Sequence, residues 1–396
     1  MPKKINFRID GMQCIRCQAI HPLMDYFEGC PACMEAGTPA SVAPHYTAWP
    51  LSLDFDTIGD WLAYPEPSGL GEGNTTLSNL PRLAAALGLS ALCTKNEFGN
   101  PTGSHKDRMG RIVVQRALDI GAKTIAVASS GNAGVSIAAY AARSGLECVV
   151  VTTPDLSPNW RRAIEMHGAR IVATENSDDR WALIAQHART GNWYPATNYT
   201  IPPVGSNPFG VDAYRAIALE LHLQFQAVPP TDIIVPTARG DLLWGIAKGY
   251  RDLRDSGLAR SIPKIHAVEP YPRISGALAG HGMVGTFPSD TDMVSIGGNT
   301  VTQQSLYALE TAKGSPVAVD GDDVATDQAV LAKEGLYLER SSVATLTGLR
   351  KLITEKKIAS NARVVLVATS HGYKEHARFL DRLPTKPLSR QVSASR

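Results

Sequence analysis

Short apolar segments alternate with segments of helical spacing along most of this chain, and this alternation limits the folds that the sequence can adopt. The apolar runs have the length of β-strands and occur in two series. The first series covers residues 91–95, 124–128, 148–152 and 170–174, and the second covers 232–235, 264–268 and 363–368. Strands that alternate with helices form parallel sheets covered by helices. The sequence therefore predicts an α/β fold of two doubly wound parallel-sheet lobes with a cleft between them.

The composition agrees with a soluble enzyme. The chain has 396 residues, 44% of them hydrophobic, and is long enough to bury a sizeable core. Its 39 basic and 37 acidic residues give a net charge of +2, which predicts no binding to nucleic acid or to a membrane surface. No run approaches the ~18 apolar residues of a membrane span, and residues 1–4 lack the apolar stretch of a secretory signal. We expect a cytoplasmic protein with a small substrate.

One lysine lies where its amine can act as a nucleophile. Residues 100–108 form a polar, glycine-containing turn that places Lys106 at the start of an amphipathic run, 109–120. Burial or nearby positive charge lowers a lysine pKa from its usual ~10.4, and the deprotonated amine then forms an imine with a carbonyl cofactor. A single lysine in this position is more often a solvated helix-start residue, so a catalytic role needs a second feature.

A polar turn at residues 129–134 provides that second feature. It reads Ser-Ser-Gly-Asn-Ala-Gly, follows a short apolar run and opens another apolar helix. The backbone of this turn and the side chain of Asn132 would meet a group bound above the strand ends. A plain surface turn is the alternative interpretation. Two matched segments in this order favour Lys106 held as an imine of pyridoxal phosphate.

Two further segments carry a resemblance to a known family. Residues 70–77 read Leu-Gly-Glu-Gly-Asn-Thr-Thr-Leu, and residues 367–372 read Val-Ala-Thr-Ser-His-Gly. Together with the lysine segment and the asparagine turn, they resemble motifs of the fold-type II pyridoxal-phosphate enzymes, and within them the threonine synthase group, from about Gly69 to Lys374. The resemblance implies a fold of the tryptophan synthase β type, pyridoxal 5'-phosphate as cofactor and a small amino-acid substrate. We also expect a homodimer.

The resemblance implies a role for each residue at a matching position. Lys106 would hold the cofactor's aldehyde carbon, be displaced by the substrate amine and then move protons between substrate carbons. Asn132 would donate to the cofactor's ring oxygen. The hydroxyl of Thr369 would meet the pyridine nitrogen and leave it unprotonated, which favours elimination over transamination. The expected phosphate-binding residues are Thr237, Ala238, Arg239, Gly240 and Asp241, and the expected substrate-binding residues are Asn74, Thr75, Ser104, Arg108, Ser129, Ser130 and Gly131.

The chain departs from the threonine synthase pattern where phosphate groups are concerned. Gly210 stands in place of that group's arginine, and residues 204–205 replace an asparagine-serine pair. Because donors for a dianion are lost, O-phosphohomoserine is expected to be a weaker substrate than the motifs alone imply. Arg239 replaces a glycine or an asparagine, and it either bonds the cofactor phosphate or points outward to Asp241.

Two predictions concern the neighbours of the lysine. His105 replaces an aromatic residue and is interpreted as a ring that packs under the cofactor, in preference to a second titrating group. Asp107 and Arg108 are predicted to form an ion pair at the helix start, with Arg108 as a second candidate for holding a substrate carboxylate.

Four of the six cysteines form two Cys-x-x-Cys pairs separated by twelve residues. Thiolates at Cys14, Cys17, Cys30 and Cys33 make the tetrahedral set that zinc prefers, and four protein ligands leave no position for a reactive water. A structural zinc in a small ribbon is therefore expected. A redox dithiol, a disulfide pair and a knuckle without metal are the alternatives. The other two cysteines lie in apolar runs, which predicts core packing.

The predicted domain order follows from these features. It comprises a zinc-ribbon-like segment at 1–45, a larger cofactor-binding lobe at 46–95 and 205–380, a smaller lobe at 96–204 with the lysine segment and the asparagine turn, and a loose tail at 381–396.

Three functions are compatible with the sequence. The first is a threonine synthase-like lyase or synthase, dependent on pyridoxal phosphate, for an amino acid with a leaving group at the β or γ carbon. The second is a serine- or threonine-type ammonia-lyase, or a β-replacement synthase of the cysteine or cysteate synthase kind, which suits the missing phosphate donors. The third is a cofactor-binding scaffold without catalysis, which Lys106, Asn132 and Thr369 disfavour.

Overall fold

A computed structural model describes residues 4–129, 131–225, 228–283, 287 and 291–375. The strands are β1 (Ile9–Cys14), β2 (Ile20–His21), β3 (Val42–Tyr46), β4 (Leu77–Asn79), β5 (Ala91–Lys95), β6 (Thr124–Ala128), β7 (Glu147–Thr152), β8 (Arg170–Ala173), β9 (Tyr194–Pro195), β10 (Asp232–Pro236), β11 (Lys264–Glu269), β12 (Pro316–Ala318) and β13 (Arg363–Val367). The helices are α1 (Pro31–Glu35), α2 (Pro81–Ala86), α3 (Lys106–Asp119), α4 (Asn132–Ser144), α5 (Pro158–Met166), α6 (Ser177–Arg189), α7 (Pro208–Asp212), α8 (Arg215–Gln224), α9 (Asp241–Asp255), α10 (Arg273–Leu278), α11 (Gln303–Ala312), α12 (Gly321–Lys333) and α13 (Arg340–Thr354). Short 3-10 turns cover Ile58–Trp61, Glu97–Gly99, Val294–Ile296 and Gly372–Lys374.

The strands form three sheets. The largest has the order β12-β11-β10-β13-β5-β4 and is parallel except for β4, which runs antiparallel to β5. A smaller parallel sheet has the order β8-β7-β6-β9. A small antiparallel sheet near the start of the chain has the order β2-β1-β3, and Cys14, the first of the paired cysteines, ends β1. The two parallel sheets confirm the predicted fold of two doubly wound lobes.

The apolar runs were good predictors of the long strands. The runs at 91–95 and 124–128 coincide with β5 and β6, and the other five predicted runs differ from β7, β8, β10, β11 and β13 by one residue. These strands are almost wholly buried, because helices cover both faces of a parallel sheet. Cys93 and Cys148 lie within them and are buried as predicted. In the two larger sheets the sequence missed β4, β9 and β12, which are two or three residues long and too short to produce a pattern. It also assigned no strands to the small sheet, where β1 and β3 are six and five residues long.

The predicted amphipathic run at 109–120 corresponds to α3, which begins three residues earlier, at Lys106, and ends one residue sooner, at Asp119. Close packing between α8 and α9 depends on glycine. A Cβ atom at Gly245 would lie 2.4 Å from Cβ of Tyr214, and one at Gly249 would lie 2.7 Å from Cβ of Ala218. Because no side chain separates the two helices at these points, α9 supports the segment that carries Tyr214.

The domain boundaries stay a prediction. The larger sheet takes β4 and β5 from the first part of the chain and β10 to β13 from the last, while the smaller sheet lies within residues 124–195. The predicted tail, 381–396, lies outside the described residues. In the part of the chain that the structure describes, no helix has both the length and the apolar character needed to span a membrane.

Candidate active site

Lys106 is the first residue of α3, and hydrogen bonds fix the turn that precedes it. Strands β5 and β13 are parallel neighbours, so the segments that follow them meet at the same edge of the larger sheet. The backbone N–H of His105 donates to the carbonyl of Thr369 at 3.0 Å, and Ser104 forms an isolated β-bridge with Ser370. Two segments more than 250 residues apart in the sequence thus hold the lysine on rigid backbone.

The amine of Lys106 lies in a partly buried polar environment. Its Nζ donates to the hydroxyl of Tyr214 at 3.4 Å. Burial lowers the pKa of Lys106, and the charge of Arg239 lowers it further, although Asp241 acts in the opposite direction. These are the conditions under which a lysine amine becomes a nucleophile. Tyr214 was missed by the sequence analysis because no motif marks it.

Asn132, the first residue of α4, lies among charged side chains from the other lobe. Its Nδ2 donates to Glu339 Oε2 at 2.9 Å and to Ser295 Oγ at 3.3 Å. Its Oδ1 accepts from Nζ of Lys374 at 3.0 Å. Glu339 and Lys374 were also missed, although Lys374 stands at the end of the segment that carries the family resemblance.

The rest of the asparagine turn is shaped by Ser129 and Trp160. Ser129 Oγ accepts from the backbone N–H groups of Gly131 and Gly134 at 3.1 and 3.0 Å. A Cβ atom at Gly131 would lie 3.1 Å from the Trp160 ring. Glycine therefore lets the turn pass close beneath the indole. Ser130 lies outside the described residues.

The predicted contact to the pyridine nitrogen belongs to the segment that follows β13. Thr369 is buried, and its Oγ1 lies 2.7 Å from Oγ of Ser342. Ser370 Oγ donates to the carbonyl of Gly103 at 3.2 Å and to Asn132 Oδ1 at 3.4 Å. A pair of hydroxyls, and no carboxylate, therefore stands at residues 369–370.

The backbone of the turn after β10, at residues 237–240, passes close to α11. Gly240 has φ +89°, and a Cβ atom there would lie 2.7 Å from the backbone nitrogen of Ser305. A larger residue would be both strained and obstructed. Thr237 Oγ1 donates to the carbonyl of Val235 at 2.9 Å, and Ala238 is half-buried. The turn opens α9, and the first N–H groups of a helix have no intrahelical acceptor and can bind an anion.

Arg239 and Asp241 have separate surroundings. The carboxylate of Asp241 accepts from Ser206 N and Oγ, at 3.1 and 2.7 Å, and from Gln304 Nε2 at 3.2 Å. The guanidinium of Arg239 lies 5.4 Å from the centroid of the Trp181 ring, and its buried Nε has no hydrogen-bond partner among the described residues. Within that part of the chain, Arg239 and Asp241 form no direct ion pair, which disfavours the outward alternative.

Arg108 belongs to a buried ion cluster. Its Nε and Nη2 donate to both oxygens of Glu97 at 2.7 Å, and its Nη1 and Nη2 donate to Glu220 at 2.7 and 2.8 Å. Lys95 Nζ donates to the same Glu220 at 2.6 Å. Burial alone would raise the pKa of Glu220, but these two cations lower it to about 2. The guanidinium of Arg108 is committed to this cluster and is not free to bind a substrate carboxylate.

The predicted ion pair between Asp107 and Arg108 is wrong. The carboxylate of Asp107 instead accepts from the backbone N–H and the hydroxyl of Thr102, at 2.6 and 2.5 Å. His105 packs 5.5 Å from the Tyr214 ring, centroid to centroid, and burial holds its pKa well below the usual range. A neutral, buried imidazole agrees with the packing interpretation of His105.

The other predicted substrate-binding residues, Asn74, Thr75 and Ser104, differ in whether their side chains are already hydrogen-bonded within the protein. Glu220 accepts from the backbone N–H groups of Asn74 and Thr75 at 2.7 and 3.2 Å. The hydroxyl of Thr75 donates to Glu97 at 2.7 Å, so it is already used. Asn74 is exposed, and the buried hydroxyl of Ser104 has no hydrogen-bond partner within the described ranges.

Gly210 faces a helix and not the cleft. A Cβ atom there would lie 2.8 Å from Cγ of Met109 and 3.4 Å from Cβ of Val113, both on α3. An arginine at this position would have to displace the helix that carries Lys106. The glycine is therefore part of the packing of α7 on α3, and restoring the arginine would not simply restore a phosphate contact.

The four paired cysteines converge near the start of the chain. Their Sγ atoms all lie within 4.8 Å of one another, with Cys14 to Cys33 at 3.6 Å and Cys17 to Cys30 at 3.8 Å. Zinc bound tetrahedrally at ~2.3 Å from each sulfur would separate the sulfurs by about 3.8 Å. The thiols are free in the structure, and their spacing fits such an ion. His21 Nε2 lies 3.3 Å from Cys30 Sγ.

Lys106 has a lowered pKa and lies between the two lobes. Around it are the asparagine turn, the hydroxyl pair at residues 369–370 and the glycine turn that opens α9. This arrangement defines a pyridoxal-phosphate-dependent enzyme. The sequence profile described as "Pyridoxal-phosphate dependent enzyme" matches residues 69–370. The chain belongs to this family, as its motifs predicted.

Curated relatives agree with the resemblance to threonine synthases. The chain is 30% identical over 318 residues to the threonine synthase of Methanocaldococcus jannaschii. The aligned region covers 77% of this chain and 76% of that protein. It is 29% identical over 331 residues to the threonine synthase of Methanosarcina acetivorans, and this alignment covers 80% of this chain and 78% of that protein. The chain is therefore a threonine synthase-like member of its family.

Solved structures share the fold. O-ureido-L-serine synthase superposes with a TM-score of 0.65 at 21% identity, covering 84% of this chain and 98% of that one. A fungal L-serine ammonia-lyase from Rhizomucor miehei superposes with a TM-score of 0.64 at 21% identity, and the aligned region covers 78% of this chain and 96% of that one.

Proposed function

We propose that this chain holds pyridoxal phosphate on Lys106 and acts as a lyase or synthase on a small amino acid with a leaving group at the β or γ carbon. The observation that carries the proposal is Lys106 itself, a partly buried amine of lowered pKa on the first residue of α3. When bound, the cofactor supplies an electron-withdrawing ring that stabilises negative charge on substrate carbons.

Lys106 would accept and return protons at the substrate carbon next to its Nζ. Burial lowers the pKa of Lys106, which increases the deprotonated fraction of the amine and moves it toward the range in which proton transfer is efficient. The Tyr214 hydroxyl, 3.4 Å away, would restrict the position of Nζ. Burial of both side chains would limit competing water.

Asn132 and Thr369 would orient the cofactor ring from two sides. The amide of Asn132 would donate to the ring oxygen, and its present partners Glu339 and Lys374 would hold the amide in plane. The hydroxyl of Thr369, 2.7 Å from Ser342 Oγ, would face the pyridine nitrogen. A hydroxyl does not keep that nitrogen protonated, so this arrangement suits elimination or replacement better than transamination.

The cofactor phosphate would bind at the start of α9. Backbone N–H groups from Ala238 to Asp241, the hydroxyl of Thr237 and the helix dipole would provide the cradle, and Gly240 permits the turn; the N–H of Thr237 itself donates to the carbonyl of Val268. Arg239 would add a charge-assisted bond through its guanidinium, whose buried Nε has no partner among the residues described. The carboxylate of Asp241 would stay turned toward Ser206 and away from the anion.

The substrate would bind between the lobes. Asn74, Ser104, Ser129, Ser130 and Gly131 remain the proposed contacts, with Thr75 acting through the ion cluster. An ammonia-lyase or β-replacement reaction on a serine-like substrate is the second candidate. It is favoured by Gly210, because close contact with Met109 excludes the arginine with which threonine synthases hold a phosphate.

Three further properties belong to the proposal. The four cysteines bind one structural zinc, as their sulfur spacing supports. The protein is a homodimer, and it is cytoplasmic. A scaffold without catalysis is disfavoured by the environment of Lys106.

The attachment residue can be tested with Lys106→Ala. The purified protein should be yellow, borohydride should fix the cofactor to Lys106, and Lys106→Ala should lose both the absorbance and turnover. Lys123→Ala, which alters an exposed lysine, is the control. Cofactor fixed on another lysine, or an active Lys106→Ala enzyme, would exclude the assignment.

The substrate can be identified by comparing kcat/KM for O-phosphohomoserine, O-phosphoserine, O-acetylserine, serine and threonine. We expect O-phosphohomoserine to be outperformed, because one lost charge-assisted contact to phosphate corresponds to roughly 10–150-fold in binding. Robust threonine formation from O-phosphohomoserine would instead identify a plain threonine synthase.

A further inference from the structure

A second cavity, of about 320 Å³, lies outside the lysine site. It is formed between the cysteine-bearing sheet and helix α9. The lining residues are Gln13, Cys14, Ile15, Gln18, Ala43, Pro44, His45, Tyr46, Trp49, Trp244, Lys248, Arg251, Asp252 and Asp255. Lys106 and the turns around it are not among them, so the cavity is separate from the cofactor site.

The α9 wall of the cavity is one stripe of the helix. Trp244, Lys248, Arg251, Asp252 and Asp255 follow the i, i+4, i+7, i+8, i+11 spacing that places side chains on one face. Charges of both signs therefore meet in a space of small-molecule size.

The two cations of this stripe differ in their partners. Lys248 Nζ donates to Asp252 at 2.9 Å and lies 5.1 Å from the centroid of the Tyr46 ring. The Arg251 guanidinium lies 5.3 Å from the Trp244 ring, and within the described ranges it makes no hydrogen bond or ion pair. An arginine whose donors are unused inside a cavity is suited to a planar carboxylate.

The opposite wall is aromatic. Tyr46 and Trp49 stack with their ring centroids 5.2 Å apart, and Trp49 stacks in turn on Trp61 at 5.6 Å. Such rings provide a rigid apolar surface, which would hold an apolar or aromatic side chain. Asp255, at the end of the stripe, is half-exposed; its Oδ1 accepts from Arg254 at 2.7 and 3.0 Å, and its Oδ2 is left to accept from an ammonium group.

We propose that this cavity binds a free α-amino acid with an apolar or aromatic side chain. The carboxylate binds Arg251, the ammonium binds Asp255, and the side chain lies against Trp49 and Trp244. The volume of about 320 Å³ stands at the lower end of ligand pockets, which are roughly 300–1,000 Å³, and is sufficient for a single amino acid.

Occupation of the cavity would act on the cofactor site through α9. The helix begins at Asp241, directly after the Arg239–Gly240 turn, and its stripe from Trp244 to Asp255 forms the cavity wall. A ligand that biases the position of α9 changes the affinity for pyridoxal phosphate, and by linkage the cofactor changes the affinity for the ligand by the same factor.

Binding can be measured by calorimetry of the holoenzyme with isoleucine, methionine and phenylalanine. Cofactor absorbance is recorded in parallel, because an amino acid that reaches Lys106 changes it and one in the cavity does not. We expect saturable binding with unchanged absorbance. Arg251→Ala and the milder Arg251→Gln should weaken it by about 10-fold or more. Arg260→Ala, which alters an exposed arginine outside the cavity lining, should leave it unchanged.

Two further measurements separate this site from the catalytic one. Binding should persist in Lys106→Ala, with an affinity that differs from that of the holoenzyme only by the factor that linkage to the cofactor sets. 3-Phenylpropionate, which lacks the amine, should bind more weakly than phenylalanine if Asp255 holds the ammonium. The proposal is overturned if none of the three amino acids binds, if Arg251→Ala binds as well as the unmodified protein, or if binding disappears in Lys106→Ala.

Discussion

The hydroxyl of Tyr214 lies 3.4 Å from Nζ of Lys106, so a buried tyrosine accepts a hydrogen bond from the amine at the centre of the site. A hydrogen bond to the ammonium favours the charged form. We therefore expect Tyr214→Phe to lower the pKa of Lys106 further in the cofactor-free protein. It should also reduce kcat by about 5–10-fold, since a net hydrogen bond contributes about 1 kcal/mol. The pH dependence of the reaction of Lys106 with pyridoxal phosphate measures the first effect.

Tyr250 provides the matched control for Tyr214. It is also buried, and its hydroxyl has no hydrogen-bond partner in the described part of the chain. Tyr250→Phe should therefore change neither the pH profile nor kcat. Equal profiles for Tyr214→Phe and the unmodified protein would contradict a functional contact with Lys106.

Arg108 is expected to govern stability and not substrate affinity. It joins Glu97 and Glu220 in a cluster where the three side chains are at most 4% exposed. Removing one partner of a buried ion cluster leaves an uncompensated charge and typically costs 3–5 kcal/mol. Arg108→Met should lower the free energy of unfolding by about this amount, measured by denaturant titration. Arg82→Met, at an exposed ion pair, should cost less than about 1 kcal/mol.

A folded, equally stable Arg108→Met protein with a raised KM for the amino acid would reverse that interpretation. It would return Arg108 to the role of a substrate contact that the sequence first indicated.

The sequence predicted those parts of the site that are contiguous in the chain. Lys106 and Asn132 are recognisable because each turn lies between a strand and a helix, and local spacing records that arrangement. Their partners come from distant segments. Tyr214 is 108 residues from Lys106, and Glu339 is 207 residues from Asn132. Only the tertiary fold brings these side chains together, so no local pattern could reveal them.

The error at Arg108 has the same origin. A single sequence offers Asp107 as the nearest carboxylate, whereas the structure supplies Glu220 from 112 residues away. Gly210 gives a related lesson. Its sequence position indicated a lost phosphate contact, but only the packing of α7 on α3 indicates why an arginine cannot simply be reinstated.

Zinc is expected in the purified protein at one ion per chain. Elemental analysis of protein prepared without added metal measures it, and Cys14→Ser should abolish it because the tetrahedral set loses a ligand. Cys148→Ala removes a buried thiol outside the cluster and should retain the metal. Removing zinc should lower the midpoint of thermal unfolding before it affects kcat of the folded fraction. Protein without zinc, whose four thiols all titrate freely, would contradict this expectation.

Lys248 should give the protein a stability that rises with pH above about 8. Burial, followed by the charge of Arg215, lowers the pKa of Lys248 to about 8 from 10.5, although Asp252 opposes this. Between these values the unfolded chain keeps a proton that the native protein has lost, so the free energy of unfolding increases with pH. The cost of charging Lys248 is fully present below pH 8, is relieved by pH 10.5, and is on the order of 3 kcal/mol at most.

Denaturant titrations should give a shallower dependence of the free energy of unfolding on pH for Lys248→Met. Lys264→Met, which alters an exposed lysine, should keep the dependence of the unmodified protein. Identical slopes in Lys248→Met and the unmodified protein would mean that the native lysine keeps its proton through this range, because Asp252 then compensates its burial.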